Sequence, residues 1–159
     1  MHGRSRGFTL LELLELLVVV VIMGVVVGLI GFSMKPSPAR QARDEAGALV
    51  QLLQQLREQA VLDGQEFGLR INAGGYQVVV FERPDWRSAG APYRLPDGLY
   101  FRLELEGRPL KLGDRLNQPQ LLVLSSDEMS AFTLHYETAQ RRWLSVSGDG
   151  LGDPAIDES

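Results

Sequence analysis

An uninterrupted apolar run near the amino terminus constrains the fold of this chain more than any other feature. Every residue from 16 to 32 is Leu, Val, Ile, Met, Gly or Phe, and none is charged or proline. Crossing about 30 Å of hydrocarbon takes roughly 20 helical residues, so the run is slightly short by itself. Extending it back to Phe8 makes it long enough but brings in Glu12 and Glu15. The sequence therefore predicts a membrane-spanning helix over residues 8–32.

The composition leaves little material for catalysis or for binding nucleic acid. The 159 residues include no Cys and two His, and the formal net charge is -4. A chain without a basic surface is a poor ligand for a phosphate backbone. His135 is the one His beyond the first seven residues, and the neighbours Asp127 and Glu128 are expected to point apart. We predict no catalytic residue, no cofactor-binding residue and no metal ligand.

The acidic carboxyl-terminal segment is the one place where a metal is worth weighing. Asp149, Asp153, Asp157 and Glu158 supply oxygen donors of the kind that calcium uses. Their spacing does not match an EF-hand loop, so we expect a solvated, frayed tail and keep a calcium site as the less favoured alternative.

The apolar run is followed by a second helical pattern. Residues 31–38 include Gly, Ser and two prolines, which predicts a kink or short break. Beyond it, apolar residues recur at helical spacing until Asp63 and Gly64, where the helix is expected to end. The predicted buried face consists of Ala42, Ala46, Leu49, Val50, Leu53, Leu56, Ala60 and Val61.

After Gly64 the hydrophobic period changes to that of strands. Residues 66–71 and 76–81 are β-rich runs around a turn at 72–75, which predicts a hairpin. Turn residues separate four later candidate strands at 99–105, 121–124, 132–136 and 143–146. The pattern indicates an α+β chain in which a helix precedes a mostly antiparallel β domain.

The amino terminus resembles a known leader. Its sequence Arg6-Gly7-Phe8-Thr9-Leu10-Leu11-Glu12-Leu13, followed by the apolar run, is similar to the class III leader of type IV pilins and type II secretion pseudopilins. The resemblance implies a pilin-like fold, cleavage between Gly7 and Phe8 by a membrane-embedded prepilin peptidase, and N-methylation of Phe8. It also implies that the leader lies in the cytoplasm and the remaining chain in the periplasm.

Glu12 matches the family's assembly residue. A carboxylate in an apolar helix costs about 3 kcal/mol on insertion scales and therefore needs a partner. The resemblance implies that Glu12 pairs with the amino-terminal ammonium group of an adjacent subunit. Glu15 departs from the family pattern and lies one turn after Glu12 on the same helical face. Both carboxylates could compete for one amine, so the role of Glu15 stays open.

Four segments of the β domain are similar to the H-type minor pseudopilin of type II secretion systems: residues 64–70, 94–99, 124–129 and 147–152. With the leader, the resemblance spans most of the chain. It implies a leader at residues 1–7, a membrane and filament-core helix at 8–32, an amphipathic half-helix at 33–63 packed on the β domain, and a periplasmic β domain at 64–159.

The resemblance also implies function and partners. We expect a non-catalytic subunit near the tip of the pseudopilus, anchored in the bacterial inner membrane, which joins a tip complex to the major pseudopilin during secretion of folded proteins. Its partners would be other pseudopilins, the prepilin peptidase and an inner-membrane assembly platform. A minor type IV pilin acting in pilus assembly, adhesion or DNA uptake is the alternative. A third possibility, a membrane-anchored periplasmic enzyme or solute-binding domain, is disfavoured because the chain offers no candidate nucleophile or set of metal ligands.

Overall fold

The computed structural model describes residues 9–32, 36–113 and 117–158, and within helix residues 27–32 it describes the backbone alone. Contacts divide the chain into two compact units, Met1–Pro36 and Ser37–Ser159. Each unit is described separately below.

The first unit contains helix α1, Leu10–Phe32. Leu, Val and Ile fill most of it, and Glu12 is the acidic residue of its first turn. An acidic residue there interacts favourably with the helix dipole. Phe8, where the predicted span begins, lies outside the described residues.

The second unit begins with helix α2, Pro38–Asp63, whose two ends have clear sequence causes. The Ser37 hydroxyl accepts a hydrogen bond from the Arg40 amide at 3.3 Å, and Pro38 suits the first helical turn because that turn needs no donor from it. At the other end, Gly64 adopts a left-handed φ of 62° that favours glycine. The helix ends where the Asp63-Gly64 signal predicts. Residues 33–35, within the predicted kink, lie outside the described residues.

Strands β1 to β10 follow, and the pairs among them are antiparallel. Their bounds are Phe67–Asn72, Gly75–Glu82, Asp85–Ser88, Tyr93–Arg94, Tyr100–Leu105, Arg108–Leu110, Leu121–Val123, Phe132–Glu137, Arg142–Gly148 and Ala155–Asp157. The predicted hairpin is β1 and β2, with Asn72 paired to Gly75. The sequence did not predict the short strands β3, β4, β6 and β10.

The strands form two sheets that share a core with α2. One sheet has the order β3-β2-β1-β7, with β4 also paired to β2, and the other has the order β10-β9-β8-β5-β6. The α2 residues in this core are Ala42, Ala46, Leu49, Leu53, Leu56 and Ala60, and Arg57 is buried on the same face. A helix packed on antiparallel sheets confirms the predicted α+β class. One prediction for this face was wrong, because Val61 is 48% exposed while Arg57 is only 8% exposed.

Gly75 is needed because β4 approaches β2 very closely there. A Cβ atom at Gly75 would overlap the carbonyl oxygen of Tyr93. We expect Gly75→Ala to lower the free energy of unfolding by about 3 kcal/mol, since backbone must shift to admit the methyl group. Urea unfolding of the segment 37–159 measures this. Gly74→Ala is the matched control, because its nearest neighbour would be a side-chain oxygen at 3.7 Å. Equal losses in both variants would contradict the prediction.

Candidate assembly site

The start of α1 carries the predicted assembly residue, and Thr9 fixes its backbone. The Thr9 carbonyl accepts from the amides of Glu12 and Leu13 at 3.0 and 3.3 Å, and the Thr9 hydroxyl accepts from the Glu12 amide at 3.4 Å. A Thr followed three residues later by Glu is the spacing of a capping box. The helix therefore starts at a defined residue and holds Glu12 at a fixed place in its first turn.

Glu12 and Glu15 are both exposed on α1 and are three residues apart, which puts them on one side of the helix. Within the described residues, neither carboxylate has a salt-bridge partner. Gly7 and Phe8, the predicted cleavage and methylation site, lie outside the described residues. The structure brings the two carboxylates together and leaves both able to accept an external cation.

The rest of α1 is an uncovered apolar surface. Its large apolar side chains between Leu10 and Val26 range from 48% to 89% exposed. An apolar surface of this extent is typical of contact with other proteins or with lipid. Within the described part of the chain, where side chains of α1 are given only up to Val26, no helix is both long and apolar enough to cross a membrane.

A second polar cluster surrounds Arg57, which the sequence did not single out. Arg57 Nη1 donates to the Gly152 carbonyl and to Asp153 Oδ1, both at 3.0 Å. Its Nη2 donates to the carbonyls of Leu151 and Asp127, at 3.1 and 3.3 Å, and lies 3.2 Å from Asp127 Oδ1. One buried guanidinium group thus holds two loops against α2. Asp127, one of its partners, keeps its carboxylate 61% exposed.

The acidic carboxyl-terminal segment is ordered by hydrogen bonds and ion pairs. Asp149 Oδ1 accepts from the amides of Leu151 and Gly152 at 3.0 and 2.8 Å, and these bonds hold the pKa of Asp149 below its usual value. Glu158 pairs with Arg43 of α2 at 2.7 Å, next to β10. The expectation of a frayed tail was therefore wrong. Among the described residues, no group of three or more His, Asp or Glu could hold a metal ion.

His135 lies in β8, where the strand pattern predicted it. It is 6% exposed, and its Nε2 is 3.1 Å from Glu104 Oε1 of the neighbouring strand β5. No nucleophile completes a catalytic arrangement with this pair among the side chains that bond to them. The geometry is that of a cross-strand polar pair.

A row of aromatic rings joins the two sheets below α2. Tyr93 contacts Tyr76 at a centroid distance of 5.1 Å, Tyr76 lies 6.3 Å from Phe101, and Phe101 lies 5.0 Å from Tyr136. The Tyr93 hydroxyl donates to the Glu45 carboxylate, with oxygen distances of 2.7 and 2.8 Å. Trp86, Tyr100 and Trp143 are half-buried. The aromatic rings of the β domain therefore serve mainly in packing.

Alkaline pH should loosen the contact between Tyr93 and Glu45. Burial, aided by the hydrogen bond to Glu45, raises the pKa of Tyr93 from 10.0 to about 12. A raised pKa in the folded state means that the stabilisation is complete below pH 10 and is lost as pH rises through about 12. We expect urea unfolding of Tyr93→Phe to show a smaller loss of stability over this interval than wild type does. An identical loss in both proteins would contradict the assignment.

Comparison with known proteins places this chain among secretion components. Residues 45–152 match the family described as type II transport protein GspH. The type II secretion system protein H of Pseudomonas aeruginosa is 38% identical over 96% of both chains. Its counterpart from Aeromonas hydrophila is 30% identical, covering 94% of this chain and 91% of the relative. The crystal structure of the minor pseudopilin EpsH from the type II secretion system of Vibrio cholerae superposes with a TM-score of 0.67, at 26% identity, over 77% of this chain and 96% of that one.

Proposed function

Because this chain belongs to the GspH family and is a minor pseudopilin of type II secretion, we propose that it is a non-catalytic subunit near the tip of the pseudopilus. There it links a tip complex to the major pseudopilin while folded proteins cross the outer membrane. The observation that carries the proposal is the uncovered apolar surface of α1, with Glu12 in its first turn. A subunit built in this way is completed by the helices of its neighbours.

The mechanism is mechanical. Before assembly, the apolar segment of residues 8–32 anchors the chain in the inner membrane, with residues 64–159 in the periplasm. An assembly platform then moves the subunit into the filament, where α1 exchanges lipid contacts for contacts with other apolar helices. Glu12 accepts the ammonium group of an adjacent subunit, which neutralises both charges in an apolar environment. No covalent step on a substrate is required.

Processing of the leader is the one chemical step that the proposal includes, and the prepilin peptidase performs it. Cleavage between Gly7 and Phe8 creates the amino group that the peptidase methylates and that Glu12 of a neighbour binds. We expect Gly7→Leu to leave the precursor largely uncut, because a bulky side chain blocks close approach of the peptidase to the backbone. The size of the chain on a gel measures cleavage. Full conversion of Gly7→Leu to the mature size would overturn this assignment, and Ser5→Leu controls for bulk within the leader.

The alternative of a minor type IV pilin has less support. The matching family and the similar proteins from Pseudomonas aeruginosa and Aeromonas hydrophila are named for type II secretion, and EpsH is a minor pseudopilin of that system. No observation on this chain separately favours a pilus.

Deletion and recovery experiments in the host test the proposal. We expect deletion of the gene to stop secretion of the exoproteins and the wild-type gene to restore it. A tagged full-length chain should recover other pseudopilins from detergent-solubilised membranes. Normal secretion in the deletion strain, or recovery of pilus components instead, would overturn the proposal.

A further inference from the structure

Two loops above Arg57 form a rigid surface that does not belong to the core. Residues 125–128 and 149–153, together with Arg57 beneath them, are called the Arg57 platform. Gly150 and the half-buried Ser125 apart, the loop residues of the platform are exposed. The fold nevertheless uses a buried charge to hold them, and desolvating a charge is unfavourable by several kcal/mol. Core packing alone does not explain why a desolvated charge is kept at this position.

The platform is fixed from several directions. Arg57 binds the carbonyls of Leu151 and Gly152, and Asp149 binds the amides of the same two residues. The Gly150 carbonyl accepts from the Met129 amide at 2.9 Å, and a Cβ at Gly150 would lie 2.7 Å from the Met129 carbonyl oxygen. The backbone around Leu151 therefore has little freedom left to lose on binding.

The platform presents an exposed apolar side chain together with exposed carboxylates. The Leu151 side chain is 73% exposed. The carboxylates of Asp127 and Asp153 are 61% and 74% exposed. A single exposed Leu is ordinary, but a rigidly held apolar side chain among exposed carboxylates is typical of a binding surface.

We propose that the Arg57 platform docks onto a different pseudopilin of the same filament, with Leu151 as the apolar anchor. This inference rests on the proposed function, because a minor subunit has mainly other pseudopilins as neighbours. The charge of the platform indicates what the contact surface of the partner pseudopilin should carry. Arg57 pairs with Asp127 and Asp153, but the platform also contains Glu128 and Asp149 and no other basic residue, so it stays acidic and calls for an apolar pocket bordered by Lys or Arg.

Site-specific cross-linking in the full-length chain tests the contact, because the protein has no Cys of its own. Leu151→Cys would be labelled with a maleimide carrying a photoreactive group in host membranes and then illuminated. Gln55→Cys, on the exposed side of α2, is the control site. We expect Leu151→Cys to cross-link to another pseudopilin and Gln55→Cys to give at least tenfold less of that product. Equal yields, or a product with a second copy of this chain alone, would overturn the proposal.

Substitutions of Leu151 distinguish a role in binding from a role in stability. We expect Leu151→Asp to lower recovery of that pseudopilin at least tenfold and Leu151→Met to retain it, while both variants unfold at the wild-type temperature because the side chain is exposed. Unchanged recovery with Leu151→Asp would overturn the role of the platform. Failure of the proposed function looks different, since wild type would then recover no pseudopilin at all.

Discussion

Glu12→Ala should be cut to the mature size as efficiently as wild type, yet its incorporation into the pseudopilus should fall at least tenfold. The carboxylate sits in an otherwise apolar turn, where an unpaired charge is unfavourable by about 3 kcal/mol. Pairing with the ammonium group of an adjacent subunit offsets this and fixes the stagger between helices. Removing the carboxylate leaves that ammonium group unpaired in an apolar environment. A tenfold loss corresponds to about 1.4 kcal/mol, which is well within the strength of such a pair.

The substitution Glu12→Ala should leave the start of α1 intact. Among the described residues, the hydrogen bonds that join Glu12 to Thr9 use the Glu12 amide, so Glu12→Ala keeps them. Fractionation of sheared filaments measures incorporation, and a gel measures cleavage. Normal incorporation of the variant would remove the role assigned to Glu12.

Glu15→Ala is the matched control, because it removes a carboxylate from the same exposed side of the same helix. If Glu12 alone holds the neighbour's amine, Glu15→Ala should assemble normally. Equal defects in both variants would mean that the two carboxylates share the cation, which would contradict assignment of the pairing to Glu12 alone.

The fold was predictable where local chemistry decides the structure. Ser37 and Pro38 start α2 and Gly64 ends it through bonds and dihedral angles that involve only nearby residues. The β1–β2 hairpin follows from a turn between two β-rich runs. The assembly role of Glu12 came from the resemblance of its surroundings to the pilin leader, and it stays a prediction.

The features that were missed depend on partners far away in the chain. Strand β10 has three residues and exists because it pairs with β9 and because Glu158 meets Arg43, 115 residues earlier. Arg57 lies on the buried side of α2 by helical period, four residues after Leu53. A charged residue at that place is ordinarily assigned to solvent, and only the loops 70 to 96 residues later show what pairs with it. The sequence signal was a single Arg inside an apolar stripe.

Arg57→Ala should destabilise the second unit by about 2 to 3 kcal/mol, the range for losing hydrogen bonds to a buried charged group whose carboxylate partners are themselves exposed. The loss goes beyond Coulomb attraction, because three backbone carbonyls and two carboxylates lose their donor at once. Arg43→Ala is the control. It removes an Arg from the same helix whose bond to Glu158 is shorter, at 2.7 Å, but whose side chain is 63% exposed. Exposed ion pairs contribute about 0 to 1 kcal/mol to stability. The buried Arg57 should therefore matter more than Arg43, although the Arg43 bond is shorter. Urea unfolding of the segment 37–159 compares the two, and a larger loss in Arg43→Ala would show that the loops do not depend on Arg57.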